Sequence, residues 1–248
     1  MFLAEPPPSQ GDVHFSLLGF PVRIHPFFWV MTVLLGLRGE RTDPIFLILW
    51  VVAVLLCILL HELGHALVMR AYGMNAAIVL HSFGGLAIPR AGRHGFRQAG
   101  PGGQILICLA GPASGFILAA LLALGLHYLG GYPVSFLDNS WRDVVPMVFI
   151  PAHLYVTVFL IYFFQITVWW GLINLLPVFP LDGGQIATQV FTLFNPQDAM
   201  RQALILSVVV GGLMSFVAFV QWRENFVGIM FLWLTYSNFA SLQQFRMW

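Results

Sequence analysis

Residues 45–65 read IFLILWVVAVLLCILLHELGH, and this stretch decides the fold class of the chain. From Ile45 to Leu60 it carries no charged side chain, and it leads without a break into HELGH at residues 61–65. An apolar run of this length, extended by the residues that follow, is typical of a helix that crosses a membrane. An acidic residue at mid-bilayer costs roughly 2.5–3.5 kcal/mol on insertion scales, so Glu62 is expected to have a use there.

The composition of the whole chain agrees with a membrane protein. Of its 248 residues, 59% are hydrophobic and only 8% are charged, whereas a soluble domain carries about 25% charged residues. The net charge of +1 gives no reason to expect a nucleic-acid partner. Cys57 and Cys108 both lie in apolar runs, so no disulfide framework is expected.

The apolar segments predict an all-α polytopic membrane protein with about six transmembrane helices. Residues 1–16 are expected to be a polar N-terminal tail, and residues 17–248 a single transmembrane domain with a catalytic core at about 44–194. Glycines, arginines and β-branched residues after the second span predict a short, membrane-associated β-hairpin-like loop, centred on 77–88. The predicted spans are Leu17–Leu37, 44–69, 103–129, 144–173, 202–220 and 226–240.

The arginines predict the orientation, because cytoplasmic loops carry an excess of basic residues. With six spans, both termini share one side with the loops at 70–102 and 195–201. That side holds seven arginines and the other side four, so we expect a multi-pass protein of the cell membrane with both termini in the cytoplasm. The seven are Arg23, Arg70, Arg90, Arg93, Arg97, Arg201 and Arg246, and the four are Arg38, Arg41, Arg142 and Arg223.

The HELGH sequence has the spacing of a catalytic zinc site. On a helix, His61 and His65 point to the same face, so both imidazoles can reach one metal ion. Glu62 lies beside them and can take a proton from a metal-activated water. Chance occurrence of HExxH is the alternative, and the position at the end of an apolar helix makes that alternative less attractive.

A catalytic zinc needs a third protein ligand, and Asp182 is the candidate. Apart from Glu62, the other acidic residues fall in the tail or in predicted loops. Asp182 follows a descending span, and His61 lies 17 residues, or about 26 Å of helix, below Pro44, so both are expected in the cytoplasmic part of the bilayer. The alternative is structural, because Asp before Gly-Gly is a common turn former.

Together, HELGH and Asn174-Leu-Leu-Pro-Val-Phe-Pro-Leu-Asp-Gly-Gly184 resemble the site-2 protease family of intramembrane zinc metalloproteases. The resemblance implies one zinc ion per chain, bound by His61, His65 and Asp182, with Glu62 as the catalytic base. It also implies that Asn174 binds the substrate backbone. Phe83-Gly84-Gly85 is similar to the glycine turn of the family's hairpin. Gly111-Pro112-Ala113-Ser114-Gly115 is similar to a family helix start, G-P-x-x-N, although glycine stands in place of asparagine at residue 115.

The expected activity is hydrolysis of peptide bonds within or near the transmembrane segments of membrane proteins. Its expected partners are a single-pass membrane-protein substrate and the lipid bilayer, and a regulatory membrane partner is left open. One alternative is a metal-binding membrane scaffold or transporter without proteolytic activity. Another is a prenyl-protein protease, in which a later glutamate is the third ligand; Glu224 is the only glutamate after Glu62.

Overall fold

The computed structural model describes residues 5–37, 43–82, 84–90, 99–130, 134–136, 146–148, 150 and 153–244. They form two compact units, Met1–Gln98 with Ala110–Gly171, and Ala99–Leu109 with Leu172–Trp248. The helices are α1 (Pro26–Gly36), α2 (Pro44–Ala71), α3 (Pro101–Tyr128), α4 (Leu154–Asn174), α5 (Asp182–Phe194), α6 (Ala199–Val217, continued by a π-helical turn, Ala218–Trp222) and α7 (Asn225–Gln244). The strands are β1 (Val13–Leu17), β2 (Phe20–Ile24), β3 (Asn75–His81), β4 (Gly84–Arg90), β5 (Val134–Phe136) and β6 (Pro146–Val148).

In the described part of the chain, four helices are long and apolar enough to cross a membrane: α2, α3, α4, and α6 with its π-helical turn. The mostly helical membrane fold is therefore confirmed, whereas the prediction of six spans is not. The span expected at 226–240 lies inside α7, which is 20 residues long but carries polar side chains such as Asn238. In the span expected at 144–173, residues 146–148 form β6 and the described helix begins at Leu154.

The prediction of a spanning helix over Leu17–Leu37 is wrong. β1 ends at Leu17, and a turn at Leu18 and Gly19, both with positive φ, leads into β2. Helix α1 begins only at Pro26, where a proline is well placed because it has no N–H to leave unpaired. Its 11 residues extend about 16 Å, roughly half of the hydrocarbon thickness of a bilayer.

The predicted hairpin is confirmed as β3 and β4, and it belongs to a four-stranded sheet in the order β1-β2-β3-β4. The pairing of β2 with β3 is parallel, and the other two pairings are antiparallel. Gly84 opens β4 with a φ of 138°, which a side chain would disfavour; Phe83 lies outside the described residues. Within this sheet β4 is an edge strand.

An ion-pair network fastens the N-terminal segment to the sheet. Arg23 of β2 donates hydrogen bonds to Glu5 and Asp12, each over 3.0 Å, and Glu5 also accepts a bond of 2.6 Å from Arg90 at the end of β4. Desolvation favours the neutral form of Asp12, but hydrogen bonds from Ser9 and Arg23 outweigh it and lower the pKa of Asp12 to about 2. The carboxylate therefore stays ionised at neutral pH.

In the second unit, helices α5, α6 and α7 contact the segment that connects α4 to α5. Val178 of that segment and Phe231 of α7 are fully buried and form one apolar cluster with Leu234. Polar side chains of α6 and α7 also lie inside this unit, among them Ser207 and Asn238. The unit therefore holds the segment before Asp182 by both apolar and polar contacts.

Candidate metal centre

The two histidines of HELGH face each other on the second half of α2. The side chains of His61, Glu62 and His65 are buried, each with about 5% of its surface exposed. The Nε2 atoms of the two imidazoles are 3.2 Å apart. Two nitrogens bound to one tetrahedral zinc at 2.0–2.1 Å each would be about 3.3 Å apart. The spacing of the pair therefore fits a shared metal ion.

Helix α3 passes this pair at a glycine. A Cβ at Gly111 would lie 2.8 Å from Nε2 of His61 and would also overlap Nε2 of His65. These distances approach metal–nitrogen bond lengths, so a side chain at residue 111 would crowd the volume beside both nitrogens. The absence of a Cβ at Gly111 keeps this volume open for an ion.

The crossing of α2 and α3 is close at a second glycine, inside HELGH itself. A Cβ at Gly64 would overlap the carbonyl oxygen of Ala110 and lie 2.7 Å from Oγ of Ser114. The Ser114 hydroxyl is 3.0 Å from the carbonyl oxygen of Leu60, to which it donates. The sequence Gly111–Gly115 was expected at a helix start, but it lies well inside α3, with Pro112 in the helix interior. There its small residues allow the two helices to approach.

Asp182 is the first residue of α5, and its side chain is buried. The next two residues must be glycines, because a Cβ at Gly183 would overlap the carbonyl oxygen of Leu175, and one at Gly184 would overlap the backbone nitrogen of Phe179. The first turn of α5 therefore rests directly on the backbone of the preceding segment. The conformation of that segment fixes the position of the Asp182 carboxylate.

Among the described residues, one group of His, Cys, Asp and Glu side chains offers the donors for a metal ion. It consists of His61, His65 and Asp182, all three of them buried. Glu224, the third ligand in the prenyl-protease alternative, does not belong to this group. Two imidazoles and one carboxylate form a donor set that is suited to a catalytic zinc.

Comparison with known proteins identifies the family. Residues 49–218, more than half of the chain, match peptidase family M50. The chain belongs to peptidase family M50. The M50 match includes HELGH and Asp182, and four apolar helices mark this M50 member as a membrane protein.

Two relatives of this M50 member come from Methanocaldococcus jannaschii. The zinc metalloprotease MJ0392 of this organism is 26% identical over 188 residues. The match covers 72% of this chain and 44% of MJ0392, so this chain spans less than half of the length of that relative. The solved structure of a site-2 protease has the same fold, with a TM-score of 0.55 and 20% identity, over 93% of this chain and 95% of that chain. The resemblance to site-2 proteases is therefore confirmed for family and fold.

Asn174 ends α4 in the M50 chain, and its side chain is buried. The segment from residue 175 to Leu181 then connects it to Asp182. The predicted role of Asn174 in binding the substrate backbone depends on the family resemblance and stays a prediction. Its place at the end of a helix also agrees with the simpler interpretation of a residue that caps the break before Pro177.

The edge strand β4 lies directly against Glu62. A Cβ at Gly85 would lie 2.7 Å from both Cδ and Oε1 of Glu62 and would overlap its Cγ. The described residues thus place the second residue of β4 beside the carboxylate that follows His61. This contact was not predicted from the sequence, where Gly85 was noted only as part of a turn.

We expect Gly85→Ala to slow peptide hydrolysis by about 10²-fold, because the new methyl group would displace the Glu62 carboxylate, and a misplacement of about 1 Å has an effect of that size. Zinc binding should persist, since the methyl group contacts Glu62 rather than the histidines. The measurement is the rate of cleavage together with the zinc content of the same preparation. Gly102→Ala is the control, because a Cβ there has open space around it; equal rates for the two variants would contradict the prediction.

His81 ends β3 opposite Gly84 in the hairpin. Burial lowers the pKa of His81 below its usual value, and electrostatic interaction with His25 and Arg23 lowers it further. The imidazole is therefore neutral at pH 7. His127 and His153 are both exposed.

Proposed function

We propose that this M50 member is an intramembrane zinc metalloprotease, which hydrolyses peptide bonds within or near transmembrane segments of membrane-protein substrates. The observation that carries the proposal is the group of His61, His65 and Asp182, with Glu62 on the same buried turn of a helix long enough to cross a bilayer. A hydrolytic centre at membrane depth acts on bonds at that depth.

In the proposed site His61, His65 and Asp182 hold one zinc ion. Zinc bound there supplies Lewis-acid polarisation of the scissile carbonyl and of the attacking water. Glu62 accepts the proton of that water and donates it to the leaving amine, as a general base and then a general acid. Burial of Glu62 excludes competing solvent and keeps the carboxylate in one place beside His61.

A helical substrate must first be unwound, because the carbonyl groups of a transmembrane helix are shielded by their own hydrogen bonds. The edge of β4 supports a way to hold the unwound chain, since an extended peptide can add to an exposed strand by main-chain hydrogen bonds. The contact of Gly85 with Glu62 supports this route, because it joins the edge strand to the proposed base. Asn174 would contribute a further hydrogen bond to the substrate backbone.

We further propose that the termini and the active site face the cytoplasm. In support, β2 pairs with β3, so Arg23 lies with Arg70 and Arg90 at the end of α2 that leads into the hairpin. The proposed substrate is a single-pass membrane protein, delivered through the lipid bilayer. Recognition would depend on the unwinding of a helix, and a regulatory membrane partner would control access to it. The polar, glycine-rich hairpin would admit the water that hydrolysis requires.

Asp182→Ala is the experiment that tests the proposed function. Loss of one of three ligands should lower the zinc affinity by more than about 10²-fold, beyond the effect of removing a residue that only supports a ligand. Cleavage of a single-span reporter protein in proteoliposomes should stop as well. The measurements are zinc content by mass spectrometry and the cleavage rate. Asp198→Ala is the matched control, because Asp198 is exposed and its carboxylate accepts a hydrogen bond from Asn195, a surface contact.

The outcomes separate the alternatives. If Asp182→Ala still holds one zinc per chain and still cleaves, the assignment of Asp182 is wrong. If the wild-type protein binds zinc but no membrane-protein reporter is cleaved, the metal-binding scaffold or transporter is favoured instead. Loss of both zinc and cleavage in Asp182→Ala, with neither lost in Asp198→Ala, supports the protease.

A further inference from the structure

Two buried polar side chains hold the backbone of Phe179, three residues before Asp182. The N–H group of Phe179 donates to Oγ of Ser207 over 2.8 Å, and its carbonyl group accepts from Nδ2 of Asn238 over 2.6 Å. Ser207 belongs to α6 and Asn238 to α7. Both main-chain hydrogen-bonding groups of one residue are thus held by side chains from two different helices.

The burial of these side chains shows that they are not surface groups that happen to touch the segment. Ser207 has 0% and Asn238 3% of its surface exposed. Polar residues inside apolar helices are costly unless they have hydrogen-bonding partners, and they often have a functional role. Here each makes a second hydrogen bond: Ser207 also donates to the carbonyl of Ala203, and Asn238 also donates to that of Leu234.

The segment itself explains why Phe179 needs these partners. Val178 donates to the carbonyl of Leu176 over 2.7 Å, and Leu181 donates to that of Val178 over 2.8 Å. These tight turns pair both main-chain groups of Val178, the residue before Phe179, within the segment. The groups of Phe179 bond outside it, so this residue is the point at which α6 and α7 fix the segment.

The position of Phe179 determines that of Asp182, because the glycines of α5 pack directly on the backbone of Phe179. A Cβ at Gly184 would overlap the nitrogen of Phe179 and lie 2.6 Å from its Cα. The first turn of α5 therefore packs on Phe179 without intervening side-chain atoms, and Asp182 begins that turn. A displacement of Phe179 would displace the carboxylate with it.

We propose that Ser207 and Asn238 are positioning residues for Asp182: they fix the backbone of Phe179 and thereby hold the carboxylate where zinc requires it. The inference rests on the proposed function, because it takes Asp182 as a zinc ligand. Asn238 lies beyond residues 49–218, which match the M50 family, so α7 contributes to the metal centre from outside the matched region.

The test uses Ser207→Ala and Asn238→Leu in the full-length protein. Each removes one bond to Phe179, and we expect the zinc affinity, measured by competition with a chelator, to fall roughly ten- to a hundred-fold. Ser207→Thr keeps the hydroxyl group, and its zinc affinity should be close to that of the wild type. Ser215→Ala is the matched control, because Ser215 is also a buried serine of α6 and its described hydrogen bond goes to the carbonyl of Gly228 on α7 rather than to Phe179.

A second measurement needs no metal. In the zinc-free protein, amide hydrogen exchange over residues 175–184 should be faster in Ser207→Ala and Asn238→Leu than in wild type, and unchanged in Ser215→Ala. If Asn238→Leu does not remain monodisperse, the variant Asn238→Gln takes its place in both measurements. The longer side chain of glutamine displaces the amide by one methylene group.

An Asp182→Ala arm keeps the two proposals apart. If Asp182→Ala binds zinc as tightly as wild type, the ligand assignment fails. If Asp182→Ala loses zinc while the Ser207 and Asn238 variants bind it as tightly as Ser215→Ala, the positioning role is overturned and the proposed function stands. Weaker zinc binding and faster exchange in the Ser207 and Asn238 variants alone support the positioning role.

Discussion

Replacement of Glu62 with glutamine is expected to abolish proteolysis while the protein still binds zinc. Glutamine has nearly the shape of glutamate, so its contact with Gly85 and the burial of the turn are preserved. It cannot accept a proton at neutral pH, and the loss of a general base slows reactions by about 10² to 10⁴-fold. The expected signature is a normal zinc content with cleavage reduced by at least the lower figure.

The measurement compares zinc content and reporter cleavage in one preparation of Glu62→Gln. Glu224→Gln is the control, since Glu224 follows the π-helical turn and lies outside the metal-binding group. Undiminished cleavage by Glu62→Gln would remove Glu62 from the mechanism. Loss of zinc in Glu224→Gln would instead favour the prenyl-protease alternative, in which a later glutamate is the third ligand.

The second large effect is expected at Gly111. In Gly111→Ala the methyl group would lie 2.8 Å from Nε2 of His61 and overlap Nε2 of His65, in the volume that an ion needs. The imidazoles must then turn away, so both lose their shared geometry. We expect the zinc affinity to fall by at least about 10²-fold, the upper end of the effects seen when only a supporting residue is removed.

Gly125→Ala provides a control in the same helix, because a Cβ there has no atom within 4 Å. Both variants replace a helical glycine with alanine, which by itself favours the helix by about 1 kcal/mol. A difference between them in zinc affinity therefore reports on space beside the histidines rather than on helix propensity. Equal affinities would show that the volume beside Gly111 is not where the metal binds.

The residues of the candidate metal centre could largely be predicted, because short-range spacing in the sequence identifies the ligand types. Four residues of helix bring His61 and His65 to one face, and few carboxylates in apolar sequence compete with Asp182. What local spacing cannot supply is the close approach of separate elements. The contacts of Gly85 with Glu62, and of Gly111 with the histidines, join segments far apart in sequence, so they required the structure.

The fold was predicted less completely, and the errors have physical causes. Hydropathy alone made Leu17–Leu37 a span, although Pro21 and Pro26 restrict the backbone and the segment forms β1, β2 and the short α1 instead. The pairing of β2 with β3 is parallel and joins residues that are more than fifty positions apart. Periodicity within one strand carries no information about such a partner.

The contact between Gly85 and Glu62 has a consequence for the choice of the bond that is cut. If an unwound peptide pairs with β4, the alignment of the two strands decides which of its peptide bonds faces the carboxylate. Side chains alternate along a strand, so the smallest shift that keeps the same side chains inward is two residues. Alternative cleavage sites in one substrate would then lie two residues apart. The alignment of the substrate strand with β4, rather than the residue type at the cut, would decide which bond is cleaved.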